Sequence, residues 1–94
     1  MRDYEVIFII QSDLDDTART GIVERVSTWI TDAGGSVVKM DDWGKRRLAY
    51  SIRKQREGHY VLLHAQMEPA SVTALERNIQ FLEPVLRFMI INGD

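Results

Sequence analysis

Residues 36–67 read SVVKMDDWGKRRLAYSIRKQREGHYVLLHAQM, and the way this stretch divides decides the fold. Ser36 to Trp43 and Leu48 to Arg53 have the pattern of one long strand in two halves, bent near Gly44, where a residue without a side chain permits a bulge. A turn is expected at Gln55 to Gly58. His59 to Met67 then returns as a strand, with Val61, Leu63, Ala65 and Met67 on one face and Tyr60, Leu62, His64 and Gln66 on the other.

Outward from this hairpin, each side carries a strand and a helix. On the N-terminal side, Tyr4, Val6, Phe8 and Ile10 alternate with Glu5, Ile7 and Ile9, the pattern of a central strand apolar on both faces. Asp15 or Asp16 can cap a helix whose apolar residues Ala18, Ile22, Val26, Trp29, Ile30 and Ala33 recur at helical spacing, and Gly34-Gly35 ends it. Gly21 inside that helix costs about 1 kcal/mol relative to alanine, so packing on a sheet has to stabilise it. On the C-terminal side, Pro69 suits the first turn of a helix lined by Val72, Leu75, Ile79 and Leu82, and Pro84 stops it. Val85 to Ile91 is the last strand, with Phe88 and Ile90 opposed to Arg87, Met89 and Ile91.

The order is therefore βαββαβ over residues 1–94, a single α+β domain. Two βαβ units with right-handed crossovers give the ferredoxin-like split arrangement: a four-stranded antiparallel sheet with both helices on one face. The other face is open, and Ile7, Ile9, Tyr60, Leu62, Met89 and Ile91 are assigned to it. That apolar set exceeds what a solvated sheet face needs, so either loops cover it in part or a protein partner does.

Composition restricts the function. Ninety-four residues, 45% hydrophobic and 28% charged, describe an ordinary globular chain. There is no cysteine, which removes disulfides and thiolate chemistry and fits a reducing compartment; a cytoplasmic location is expected. The apolar run Val6 to Ile10 is short and follows Asp3 and Glu5, so neither a signal peptide nor a membrane span is expected. The six glycines form no nucleotide-binding or nucleophile-elbow motif. His59 and His64 point to opposite faces of one strand, as do Asp41 and Asp42 of another, which is poor geometry for a metal or a general acid/base pair. No catalytic residue, metal, cofactor or small-molecule substrate is expected.

Charge is the informative signal. The net charge is −2, yet residues 45–56 hold six of the twelve basic residues and none of the fourteen acids. Lys45, Arg46, Arg47, Arg53, Lys54 and Arg56 therefore form a cationic island on an acidic chain, which favours phosphate contact at one place and repels it elsewhere. The same charges, with Asp41 and Asp42, on an edge strand also deter edge-to-edge aggregation.

The segment Asp42-Trp43-Gly44-Lys45-Arg46-Arg47-Leu48-Ala49-Tyr50 resembles the bacterial small-subunit ribosomal protein six family. Met1-Arg2-x-Tyr4-Glu5, Gly58-His59-Tyr60 and Val85-Leu86-Arg87-x-Met89 carry the likeness from residue 1 to about 92. The resemblance implies a non-enzymatic constituent of the small ribosomal subunit, bound to the central domain of 16S ribosomal RNA as a heterodimer with ribosomal protein eighteen. Carried over by position, it implies RNA-facing roles for Arg2 and Arg87 on neighbouring strands, beside Lys45, Arg46, Arg47, Arg53 and Lys54. It also implies that Asp41, Asp42, Arg46, Arg47 and Tyr50 form an edge segment that meets the partner protein or nearby RNA, and the open-face residues Ile7, Ile9, Tyr60, Leu62 and Met89 are assigned to the protein partner. Ser51 departs from the proline usual in the family, and Asp3 from a common basic residue. The sequence ends at Asp94, so contacts made by the polar tail of many members are not expected.

Two relatives of the topology fit less well. An RNA-recognition motif needs a glycine and an aromatic where Glu57 and Leu63 stand. An acylphosphatase needs an arginine in the loop after strand one, which here is Gln11-Ser12-Asp13-Leu14-Asp15. Weak self-association through the open face is a further alternative.

Overall fold

The structure, a computed structural model, describes residues 1–93; the expectation about a tail beyond Asp94 lies outside them. The elements run β1 (Arg2–Gln11), α1 (Asp16–Asp32), β2 (Ser36–Ile52), β3 (Gln55–Met67), α2 (Pro69–Gln80) and β4 (Val85–Asn92). The sheet order is β2-β3-β1-β4, with every adjacent pair antiparallel, so β1 is central and β2 an edge strand, as the sequence predicts.

The side-chain period of two places Val6, Phe8 and Ile10 of β1 beside Val61, Leu63 and Met67 of β3, all essentially inaccessible to solvent. Ile22, Val26 and Ile30 of α1 and Leu75 and Ile79 of α2 close this face into the main core. Phe8 sits at its centre, opposite Val61 on one side and Phe88 on the other. Burying each of Ile22, Val26 and Ile30 contributes roughly 1.5–3 kcal/mol, which together offset the low helix propensity of α1. Asp15 caps α1 by accepting from the Ala18 amide at 2.8 Å. Pro69 takes the first position of α2, where its missing N–H costs nothing.

The turn between β2 and β3 departs from the sequence reading. Gln55 to Gly58 is strand, and the turn consists of Arg53 and Lys54 alone, between the paired residues Ile52 and Gln55. Both turn residues have positive φ, 50° and 66°, the backbone of a two-residue type I′ hairpin turn. Such turns favour asparagine and glycine, and neither is present, so the usual signal was missing. Gly58 misled because its reason lies elsewhere: a Cβ there would collide with Ile9 Cγ2, so glycine is required by close packing inside a strand.

The pairing of β2 shifts once between Val37 and Lys39, and two irregularities follow nearer the hairpin. The first lies between Asp42 and Gly44, where Gly44 adopts a φ of 76° and Trp43 is the extra residue; this is the bend expected at Gly44. The second is larger. Arg47 pairs with Glu57 and Ile52 with Gln55, so residues 48–51 arch over the single residue Arg56.

A candidate nucleic-acid interface

The arch folds back onto the open face of the sheet. Leu48, buried in the arch, packs with Ile9 of β1 and Leu86 of β4, and Ile52 and Tyr60 complete this second, smaller core. Leu86 reaches it because β4 carries an extra residue where Ile9 pairs with Arg87 and Ile10 with Val85. Two further tethers fix the arm. Arg53 Nη1 donates to the Glu83 carbonyl at 2.7 Å, and Arg87 Nη1 donates to Tyr50 Oη at 2.5 Å. The Arg87 guanidinium carbon also lies 5.5 Å from the centroid of the Tyr50 ring.

The cationic residues therefore sit on a pinned platform. Lys45, Arg46, Arg47, Arg53, Lys54 and Arg56 are all exposed. Arg46 pairs with Gly58 and shares the open face, while Lys45 and Arg47, one position either side, point the other way. Arg46 Nε donates to the Trp43 carbonyl at 3.4 Å. Among the described residues none of the six forms an ion pair, so their charge is available to a polyanion.

Arg87 joins this platform through Tyr50, but Arg2 does not. Arg2 pairs with Met67 and Arg87 with Ile9, seven positions apart along β1, about 24 Å at ~3.4 Å per residue. Arg2 is also on the helical face by alternation, and Arg87 on the open one. Neighbouring strands thus do not bring the two arginines together.

The residues assigned to a partner also divide. Ile9 and Leu62 are buried by the chain itself, and Ile7 and Tyr60 are half covered, so the chain covers this face in part, one of the two alternatives the sequence left open. Met89, 54% exposed, and Ile91, 40% exposed, remain open. Asp41 lies on the open face, 3.1 Å from His64 Nε2 and 3.6 Å from Lys39 Nζ. Asp42 lies on the helical face, where Oδ1 is 2.6 Å from His59 Nε2 and accepts from the Gly44 amide at 2.8 Å. The two aspartates thus pin β2 to β3 on opposite faces, as alternation predicts, and Asp42 does not share a surface with Met89.

Trp43 was not singled out in the sequence, yet the bulge turns it onto Tyr60, with ring centroids 6.4 Å apart and planes 21° from parallel. The glycine after it was the available signal. Near the other end of the open face, a cleft of ≈ 370 Å³ is lined in part by Asp3, Glu5, Lys39 and His64. The face is therefore acidic toward one end and basic toward the other. No group of three or more histidine, aspartate or glutamate side chains is placed to hold a metal among the described residues, and no described helix is long and apolar enough to cross a membrane.

A split βαβ sheet with a partly covered face and a pinned cationic hairpin defines a ferredoxin-like binding domain. The family model described as Ribosomal protein S6 matches residues 3–92. The chain belongs to that family, a structural constituent of the small ribosomal subunit and not an enzyme; its location is the cytoplasmic ribosome. The small ribosomal subunit protein bS6 of Moorella thermoacetica is 47% identical over 90 residues, covering 96% of this chain and 92% of that protein. The bS6 protein of Desulforudis audaxviator is 44% identical over the whole of both chains. The crystal structure of 30S ribosomal protein S6 from Thermotoga maritima superposes with a TM-score of 0.91 at 28% identity, covering 97% of this chain and 86% of that one.

Proposed function

We propose that the chain binds the central domain of 16S ribosomal RNA together with ribosomal protein eighteen, as a heterodimer. The observation that carries this reading is the hairpin: six exposed basic side chains without ion-pair partners among the described residues, on a backbone fixed by Leu48, Tyr50 and Arg53 in a domain otherwise rich in acid. Because the backbone that carries these groups is fixed, phosphate contact has to order their side chains and not the segment itself. Met89 and Ile91 follow Arg87 along β4 on the open face and supply apolar surface for the protein partner next to the point where the arch meets β4, so RNA and protein can be engaged together. The partner's identity comes from the family likeness.

The test is binding of the purified chain to a central-domain RNA fragment with and without protein eighteen. Joint binding much tighter than either binary interaction is expected. Equal affinity with and without the partner argues against the heterodimer, and no binding in either case argues against the RNA reading.

A further inference from the structure

We propose that the cleft beneath the hairpin arch holds one unpaired RNA nucleotide, with the base stacked on Tyr50 and the phosphate on Arg47 and Arg56. The proposal rests on the reading of the chain as an RNA binder and names the form of RNA at this place.

The cleft, ≈ 220 Å³, is lined by Arg47, Leu48, Ala49, Tyr50, Ser51 and Arg56. That is smaller than the roughly 300–1,000 Å³ of pockets that enclose a drug-sized ligand, and suits a single nucleotide unit. Two of its six lining residues are arginines and none is acidic. Arg47 and Arg56 form no ion pair with the described residues, so the cleft carries uncompensated positive charge suited to a phosphate.

Tyr50 supplies the second element. It is 58% exposed although Arg87 lies against the ring, and Arg87 is not part of the cleft lining. One face is thus occupied by the guanidinium, leaving the ring fixed in orientation with aromatic surface still free. An exposed aromatic held rigid beside phosphate-binding arginines is a base-stacking platform. A base inside a duplex has both faces covered by its neighbours, so only an unpaired nucleotide can use the platform. Phosphate contact alone would not discriminate in this way.

The test uses the full chain, a short unstructured oligoribonucleotide, and the duplex that it forms with its complement. The single strand should bind more tightly than the duplex per phosphate contacted. Tyr50→Ala should weaken single-strand binding roughly five- to hundredfold and duplex binding by much less, the smaller loss coming from the lost tether to Arg87, with the salt slope unchanged. Tyr50→Phe should restore the affinity, because the ring and not the hydroxyl does the stacking. Arg47→Gln with Arg56→Gln should instead flatten the salt slope by about 0.7 for each lost contact. Arg87→Gln separates the ring from its tether and should preserve the single-strand preference. Equal losses for single strand and duplex in Tyr50→Ala, no loss at all, or the full loss in Arg87→Gln alone would overturn the proposal. Absence of the wild-type preference for single strands overturns it as well; normal binding to the central-domain fragment with protein eighteen then leaves the wider reading standing, while failure there removes both.

Discussion

Arg87 and Tyr50, 37 residues apart in sequence, meet as a hydrogen-bonded and stacked pair on the open face, 2.5 Å from Nη1 to Oη. The pair joins the last strand to the arch of the hairpin, and Leu48 closes the same junction from below. A cationic segment that solvation and self-repulsion would otherwise leave mobile is thereby held over a small apolar core. Its stability and its function can therefore be tested separately.

Leu48→Ala should cost about 2–3 kcal/mol, from lost transfer energy and the cavity left against Ile9 and Leu86. Urea denaturation measures this, and native-state hydrogen exchange should show residues 45–56 losing protection before the helices do. A loss below about 0.5 kcal/mol, the range of surface substitutions, would show that the arch is not packed.

Gly58→Ala should destabilise by about 1–3 kcal/mol, because the new methyl occupies the space of Ile9 Cγ2. Combining it with Ile9→Ala should cost less than the sum of the single changes. Strict additivity in the double-mutant cycle contradicts the contact.

Lys54→Gly should raise stability by about 0.5–1 kcal/mol, since a residue other than glycine at a φ of 66° costs about 1–2 kcal/mol, offset in part by the unfolded-state entropy of glycine. The same variant should bind RNA more weakly, having lost a charge. Thermal denaturation and RNA titration together check this; an unchanged or lowered melting temperature refutes the strain argument.

Met89→Gln should leave the isolated fold within about 0.5 kcal/mol of wild type, because the side chain is 54% exposed, and should weaken binding of protein eighteen by more than 1 kcal/mol. Leu62→Gln, at a buried position, should lower stability directly and is a poor probe of the interface. Calorimetric titration with the partner separates the two, and unchanged affinity in Met89→Gln removes this residue from the interface.

Periodicity made the βαββαβ order legible, because Val6-Phe8-Ile10, Ile22-Val26-Ile30 and Val61-Leu63-Ala65 each repeat at the spacing of their element. Gly44 marked the bend of β2 for the same local reason. The turn was not legible, since Arg53 and Lys54 carry none of the usual residues for positive φ and the nearby Gly58 serves tertiary packing instead. The cationic island could be read from charge alone. Its fixation could not, because Leu48-Ile9-Leu86 and Tyr50-Arg87 depend on how an irregular arch folds over strands distant in sequence. Arg2 and Arg87 are paired by the family resemblance as RNA-facing residues on neighbouring strands, and being on neighbouring strands fixes neither position along the strand nor face.

The most direct test of the central claim is the salt dependence of complex formation between the chain, protein eighteen and the central-domain RNA fragment, with wild type and with Arg46→Ala, Arg47→Ala and the double variant. Arg46 and Arg47 face opposite ways, so each single variant reports on one surface. If the hairpin is the RNA-binding element, at least one single variant should lower the slope of log affinity against log salt by roughly 0.7–0.9 per lost phosphate contact, and the double variant should assemble poorly at physiological salt. Wild-type affinity and an unchanged slope in the double variant, at unchanged fold stability, would contradict the account.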